Sequence, residues 1–358
     1  MRVVSWNKKS HRISSNAFAK MLKAASADVV VVQEPSGGVA ADGWKFVTLT
    51  GESGTGQDSY VVGVRSGGQI DHCYLKSDPR SGGRPNGENR AFVVAQVTVG
   101  SESLTLVSCH APHGGGTLRK TSDEARDYMQ ELGVRLGRTA FRATDAKTSA
   151  LPPEVMADPP PPIMADLFMG DTNLYDPHSA GGKDWCPATW KSPDVGRTTC
   201  NGGDTGHPLD RIAFRQAATS IDQEVMSYGR IRVGDGEKAP PKKLHEIALR
   251  SKADPLAAHK KDLWMATEED DYTGPRKSDK WEKSDHLAIY FDTGKGGDAV
   301  MPDAPVEAGR NRSGLKRGAA AEPEVAIPAA AGVVVPAAAA GASKKPAPEK
   351  KDTPEKKD

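Results

Sequence analysis

Residues able to move protons or hold a cation stand at the ends of apolar, strand-like runs. Asn7 follows Val3-Val4-Ser5-Trp6, Glu34 follows Val30-Val31-Val32-Gln33, and His110 follows Leu106-Val107-Ser108-Cys109. Asp171 and Asn173 follow Leu167-Phe168-Met169-Gly170, Asp210 heads Asp210-Arg211-Ile212-Ala213-Phe214, and Asp285-His286 precedes Leu287-Ala288-Ile289-Tyr290-Phe291. Imidazoles exchange protons near neutral pH, and carboxylate and amide oxygens are ligands for hard cations. Taken singly, each has a plainer reading. Asn7 and Asn173 suit turns, Asp171 a loop or cap, and His110 and His286 hydrogen-bonded strand ends. Arg90 reads as a surface charge, and His113 beside Gly114-Gly115-Gly116 as a loop histidine. Functional groups set at strand ends gather at one rim of a sheet, whereas structural polar residues scatter.

The elements that must position these groups are legible in the apolar pattern. Strands are predicted at 3–6, 29–32, 44–49, 60–64, 91–97, 104–109, 166–169, 209–214 and 287–291. A helix over 16–25 places Phe18, Met21, Leu22 and Ala25 on one face, with Ser14 or Ser15 as its N-cap. A second helix, over 122–142, aligns Ala125, Tyr128, Met129, Leu132 and Leu136. Many strands with few, well-separated helices predict a mixed α/β sandwich. Two segments read as surface insertions: 151–162, ending in four prolines, and the polar stretch 233–283, with a short helix near 244–249. There is no internal repeat.

The ordered set of polar signatures resembles the endonuclease/exonuclease/phosphatase superfamily, the DNase I-like metal-dependent phosphoesterases, over residues 1–291. Ser59-Tyr60-Val61-Val62-Gly63-Val64-Arg65, Asn89-Arg90-Ala91-Phe92-Val93-Val94 and Val107-Ser108-Cys109-His110-Ala111-Pro112 are similar to segments of DNase I and of the cytolethal distending toxin nuclease subunit. The resemblance implies a DNase I-like four-layer α/β sandwich, two packed mixed β-sheets flanked by helices, over residues 1–292.

It also implies a division of labour. Phosphodiester cleavage needs a hydroxide-like nucleophile, a proton for the leaving oxygen and positive charge near the non-bridging oxygens. Glu34 is the expected ligand of Mg²⁺, with Mn²⁺ as a substitute, and Asn7, Asp171 and Asp285 are its candidate partners. His286 is the implied general base, oriented by Asp210. His110 is the implied acid, with Asp58 in the place where such enzymes usually carry Glu. Asn173 is expected to hold the attacking water or a phosphate oxygen, with Asn7 beside it, and Arg90 to grip a phosphate through its fork of donors. Thr172 stands where the family usually carries an aromatic or apolar residue.

The bulk properties limit the alternatives. The 358 residues carry 48 Lys+Arg against 47 Asp+Glu, a formal charge of +1, which excludes a strongly basic coat protein. Arg90, Arg119, Lys120, Arg126 and the Lys8-Lys9 pair are nevertheless available to line a local phosphate groove. Residues 293–358 contain no Phe, Tyr or Trp and are rich in Ala, Pro and Lys. Such a segment cannot offset its ordering entropy, so a disordered tail is expected. No apolar run reaches the roughly 18–20 residues of a membrane span. The start lacks an export-signal pattern, so the expected compartment is the cytoplasm, with signal-less secretion left open. Four cysteines do not make a disulfide scaffold, and Cys186 and Cys200 pair only if the chain is exported.

The expected activity is therefore weakly sequence-selective DNA cleavage by a monomer, with DNA preferred over RNA. The alternatives are a phosphatase acting on a phosphoinositide or another small phosphoester, and an effector or toxin docked to a protein partner through its tail.

Overall fold

The computed structural model describes residues 1–8, 15–35, 39–51, 59–80, 90–113, 123–138, 140–141, 148–149, 162–175, 185–199, 207–233, 256–265 and 286–295. The expected tail, apart from its first three residues, lies outside them, as do the expected helix near 244–249 and all of the 151–162 insertion but its last residue. Among the described residues, no helix is long and apolar enough to cross a membrane.

Two mixed sheets pack face to face. The first comprises β1 (Arg2–Asn7), β2 (Val29–Gln33), β3 (Trp44–Thr50), β4 (Ser59–Arg65), β12 (Ser227–Val233), β13 (Leu263–Met265) and β14 (Ile289–Asp292). Its spatial order is β13-β12-β14-β1-β2-β4-β3. The second holds β5 (Gly68–Lys76), β6 (Phe92–Val99), β7 (Glu102–Cys109), β8 (Thr148–Ser149), β9 (Leu167–Asp171), β10 (Trp190–Lys191) and β11 (Asp210–Arg215). Its order is β10-β11-β9-β7-β6-β5-β8. Helix α1 (Ser15–Ala24) covers the first sheet and α2 (Asp123–Arg138) the second. The predicted DNase I-like four-layer α/β sandwich is the fold observed.

Strand alternation explains the layers. Val3, Val29, Val31, Leu104, Leu106, Leu167, Met169, Ile212, Phe214, Ile289 and Phe291 meet between the sheets. Their neighbours Val4, Trp6, Val30, Val32 and Tyr290 turn outward to α1. The unbroken valines of β2 fit a strand covered on both faces. Phe18, Met21 and Leu22 of α1 are buried there, with Phe18 stacked on Trp6 at 6.2 Å. Each such side chain contributes about 1.5–3 kcal/mol by leaving water. All five residues predicted for the inner face of α2 are buried.

Three readings are corrected. Strands β5 and β12 went unread: β5 carries a register shift between Ile70 and His72, and β12 sets arginines among its apolar positions, so neither shows clean alternation. The 233–283 segment is not wholly a surface insertion. Leu256 is buried in the inter-sheet core, and β13 extends the first sheet parallel to β12. A three-residue strand is too short to display a period. The second helix stops at Arg138, and Phe141 beyond it pairs with Ile163 in an isolated bridge.

Candidate active site

Followed toward one rim, the inward-facing positions change from apolar to polar. On β1 the series is Val3, Ser5, Asn7. On β2 it is Val29, Val31, Gln33, and along β7 it runs Leu104, Leu106, Ser108, His110. On β9 it ends at Asp171, and β11, running antiparallel to β9, begins with Asp210 directly opposite. An isolated bridge sets His110 beside Asp171, and another ties His286 to Thr199. The strand-end residues therefore converge, and Asn7, His110, Asp171, Asn173, Asp210 and His286 are all buried.

Asp171 is the hub. Its Oδ2 accepts from the Asn7 amide at 2.9 Å, and its Oδ1 accepts from the Asn173 backbone N–H at 3.0 Å. The Nε2 atoms of His110 and His286 each lie 3.7 Å from Asp171 Oδ2, beyond hydrogen-bond range. Asn173 adopts a left-handed conformation, φ 50°, and its amide donates to the Ala111 carbonyl at 2.7 Å. That bond locks the β9 turn onto the chain just past His110. Each carboxylate oxygen of Asp171 accepts one hydrogen bond from the protein, which fixes its orientation in the site.

The histidines differ in their Nδ1 partners. His286 Nδ1 lies 2.8 Å from Asp210 Oδ2. A carboxylate only accepts, so Nδ1 carries the proton and the neutral ring presents a bare Nε2. His110 Nδ1 lies 2.9 Å from Arg90 Nη1 and 3.2 Å from Glu34 Oε1. These contacts ask for opposite protonation. Guanidinium can only donate and carboxylate can only accept, so the Arg90 contact suits a ring bare at Nδ1 and the Glu34 contact a ring protonated there. Arg90, expected to grip a phosphate, is buried with its guanidinium against His110. Asp58, expected beside His110, lies outside the described residues, as does Asp285.

Glu34 leaves β2 in a left-handed conformation, φ 49°, uncommon for a non-glycine residue and typical of functional sites. Asn7 pairs with Gln33 in register, bringing the Asn7 and Glu34 side chains to one strand end. Among the described residues, no three His, Cys, Asp or Glu side chains form a closed metal cage. Mg²⁺ needs none: one or two carboxylates and its own waters suffice. The hard oxygen donors of Glu34 and Asn7 fit that requirement.

Several supporting residues were not singled out in the sequence. The Tyr60 hydroxyl accepts from the His110 backbone N–H at 2.9 Å and donates to the Ala91 carbonyl at 2.8 Å. The Trp6 indole donates to the His286 carbonyl at 3.0 Å. Thr198 Oγ1 accepts from the Asp210 N–H at 3.0 Å. Each reads in sequence as an ordinary strand or loop residue, and only its cross-sheet partner shows its use. Thr172, the departure from the family pattern, is buried and satisfied, donating to the Leu209 carbonyl at 2.8 Å. Of the expected basic groove, Lys8 is buried, and its burial pushes the ammonium pKa down. Arg126 pairs with Asp123 at 2.6 Å. Lys9, Arg119 and Lys120 lie outside the described residues.

The sandwich, with this cluster at one rim of the space between its sheets, decides the fold. Two seven-stranded mixed sheets with a helix on each outer face form the four-layer α/β sandwich that the sequence resemblance implied. No protein-family model matches the sequence, and no curated protein matches it. Among solved structures, the chain is similar to D. rerio TDP2 complexed with a single-strand DNA product, at 17% identity and a TM-score of 0.44, covering 82% of this chain and 99% of that one. It is also similar to a superfamily protein from Bacteroides thetaiotaomicron, at 13% identity and a TM-score of 0.44, covering 81% and 96%. Another, from Leptotrichia buccalis, matches at 13% identity and a TM-score of 0.44, covering 82% and 98%.

Proposed function

We propose that the chain is a Mg²⁺-dependent phosphodiesterase, and specifically a weakly sequence-selective DNA endonuclease with a two-histidine acid–base mechanism. One observation carries this reading. Two imidazoles face the same carboxylate oxygen at 3.7 Å, and their Nδ1 atoms meet different partners, Asp210 for His286 and both Arg90 and Glu34 for His110. His286, with its proton held on Nδ1 by Asp210, offers Nε2 to take a proton from water. His110, in the imidazolium form that the Glu34 carboxylate 3.2 Å from its Nδ1 favours, would give its Nε2 proton to the leaving oxygen and finish as neutral imidazole. Splitting the proton transfers between two differently biased groups is what phosphodiester hydrolysis at neutral pH requires. Asp171 keeps both rings facing one point, and Asn7 and Asn173 orient the water and the phosphate. Glu34 and Asn7 would hold the cation, which supplies positive charge to the non-bridging oxygens.

Supercoiled-plasmid nicking with Mg²⁺ or Mn²⁺, with and without chelator, tests the reading. Wild type should nick only with metal, and His110→Ala and His286→Ala should each lose at least about a hundredfold in rate. Because phosphate contacts dominate unselective binding, nicking should also weaken as salt rises from about 50 to 200 mM. Absence of nicking by a folded, metal-supplied protein would overturn the DNA reading; RNA and inositol phosphates are then the substrates to assay.

A further inference from the structure

A polar layer lies one step below the site, inside the apolar space between the sheets. Gln33 is fully buried on β2, and its amide donates to Ser5 Oγ of β1 at 3.1 Å and to Ser108 Oγ of β7 at 2.6 Å. Ser5 and Ser108 are buried too. Each member stands just before a site residue on its own strand. Ser5 precedes Asn7 by two positions, Ser108 precedes His110 by two, and Gln33 adjoins Glu34. One side chain therefore ties together the three strands that deliver Asn7, Glu34 and His110, two from one sheet and one from the other.

Stability does not explain this layer. The Gln33 carbonyl oxygen is buried without a hydrogen-bond partner, which costs stability. Valines and leucines fill the neighbouring inward positions, and a methionine of similar volume would remove the orphaned oxygen while taking a donor from Ser5 and Ser108. Buried polar groups fix geometry through directional bonds that apolar contacts cannot supply. Geometry is at stake here: Glu34 leaves its strand in a left-handed turn immediately after Gln33 and reaches His110 at 3.2 Å.

We infer that Gln33, with Ser5 and Ser108, is a positioning residue that sets the distance between the Glu34–Asn7 pair of one sheet and His110 of the other. The inference concerns the site already described, and its kinetic arm rests on the phosphodiesterase reading. Displacement of reacting groups by about an ångström costs on the order of a hundredfold in rate, so the effect should appear in turnover and not in folding.

The test compares the full chain with Gln33→Met and, as a smaller change, Ser108→Ala. It follows thermal unfolding, kcat and KM for a phosphodiester, and the nuclear magnetic resonance signals of isotope-labelled histidine side chains, assigned by loss in His110→Ala and His286→Ala. Tm should change little, because the orphaned oxygen and the two serine bonds are lost together, while kcat should fall about ten- to hundredfold and KM should change less than about threefold. The His110 signal should shift while that of His286 holds still. Unchanged kcat and an unchanged His110 signal in a folded variant would overturn the inference. So would losses in which both histidine signals move together and Tm drops, the mark of general loosening. Should the wild type hydrolyse no phosphodiester, the functional reading falls, and the His110 signal alone decides the positioning role.

Discussion

His286 and His110 are the same residue type at comparable strand ends, and their neighbours make them chemically unlike. A carboxylate on Nδ1 of His286 stabilises the imidazolium that a general base becomes, whereas Nδ1 of His110 is shared between the Arg90 guanidinium and the Glu34 carboxylate. The negative charge of Asp210 should therefore matter more than its shape. Asp210→Asn is expected to lower kcat about 10²–10⁴-fold with little change in Tm, read by single-turnover cleavage; a loss under about threefold would remove Asp210 from its orienting role. Burial governs the thiols. Cys73 and Cys186 are pushed up to about 12, and Cys109 is raised well above its ordinary value. A thiol whose folded pKa exceeds its unfolded one favours folding below the unfolded value, and that contribution is lost as pH rises from about 9 toward 12. Iodoacetamide at pH 8 should thus modify these three only after unfolding in urea, as peptide mass spectrometry would show. Rapid labelling of native Cys73 would refute its burial.

Close approaches between elements override local preference. Gly133 lies on the buried face of α2, where alanine would ordinarily favour the helix by about 1 kcal/mol. A Cβ there would overlap the backbone carbonyl of Trp185, which cannot rotate away as a side chain can. Gly133→Ala should destabilise by about 1–3 kcal/mol in urea unfolding, reversing the propensity expectation. Gly137, one turn on, meets only the Pro187 ring at 3.0 Å, so Gly137→Ala should cost less. Equal effects at the two sites would show that the loop carrying Trp185 yields freely. Gly170 serves the site in the same way: a Cβ there would strike the Cys109 backbone, so its absence lets β9 approach β7 and sets Asp171 beside His110.

At the scale of the molecule, the inter-sheet core and both helix-covered faces, among the described residues, are built from residues no later than Phe291, and Asp292 pairs with Arg2 at 3.0 Å. A chain ended after Lys295 should retain the cooperative unfolding and the nicking rate of the full chain within about twofold. Loss of folding would show that residues beyond 295 contribute to the core. Preserved hydrolysis with loss of a biological effect would point to tail docking.

Alternation and helical spacing are local properties, so the sequence by itself carried the mixed sandwich, both helices, their buried faces and the strand-end placement of Asn7, Glu34, His110, Asp171, Asn173, Asp210 and His286. Strands β5 and β12 escaped because a register shift in the one and arginines among the apolar residues of the other break their alternation. What depended on partners distant in sequence was decided by packing alone: Arg90 on His110, Asp171 as a hub with both oxygens engaged, Tyr60 and Trp6 bracing the histidines, and Gln33 joining three strands. A side chain's role there is set by what lies across the gap between the sheets. Residues separated by 75 positions, as Gln33 and Ser108 are, share no local signal until the two sheets close on one another.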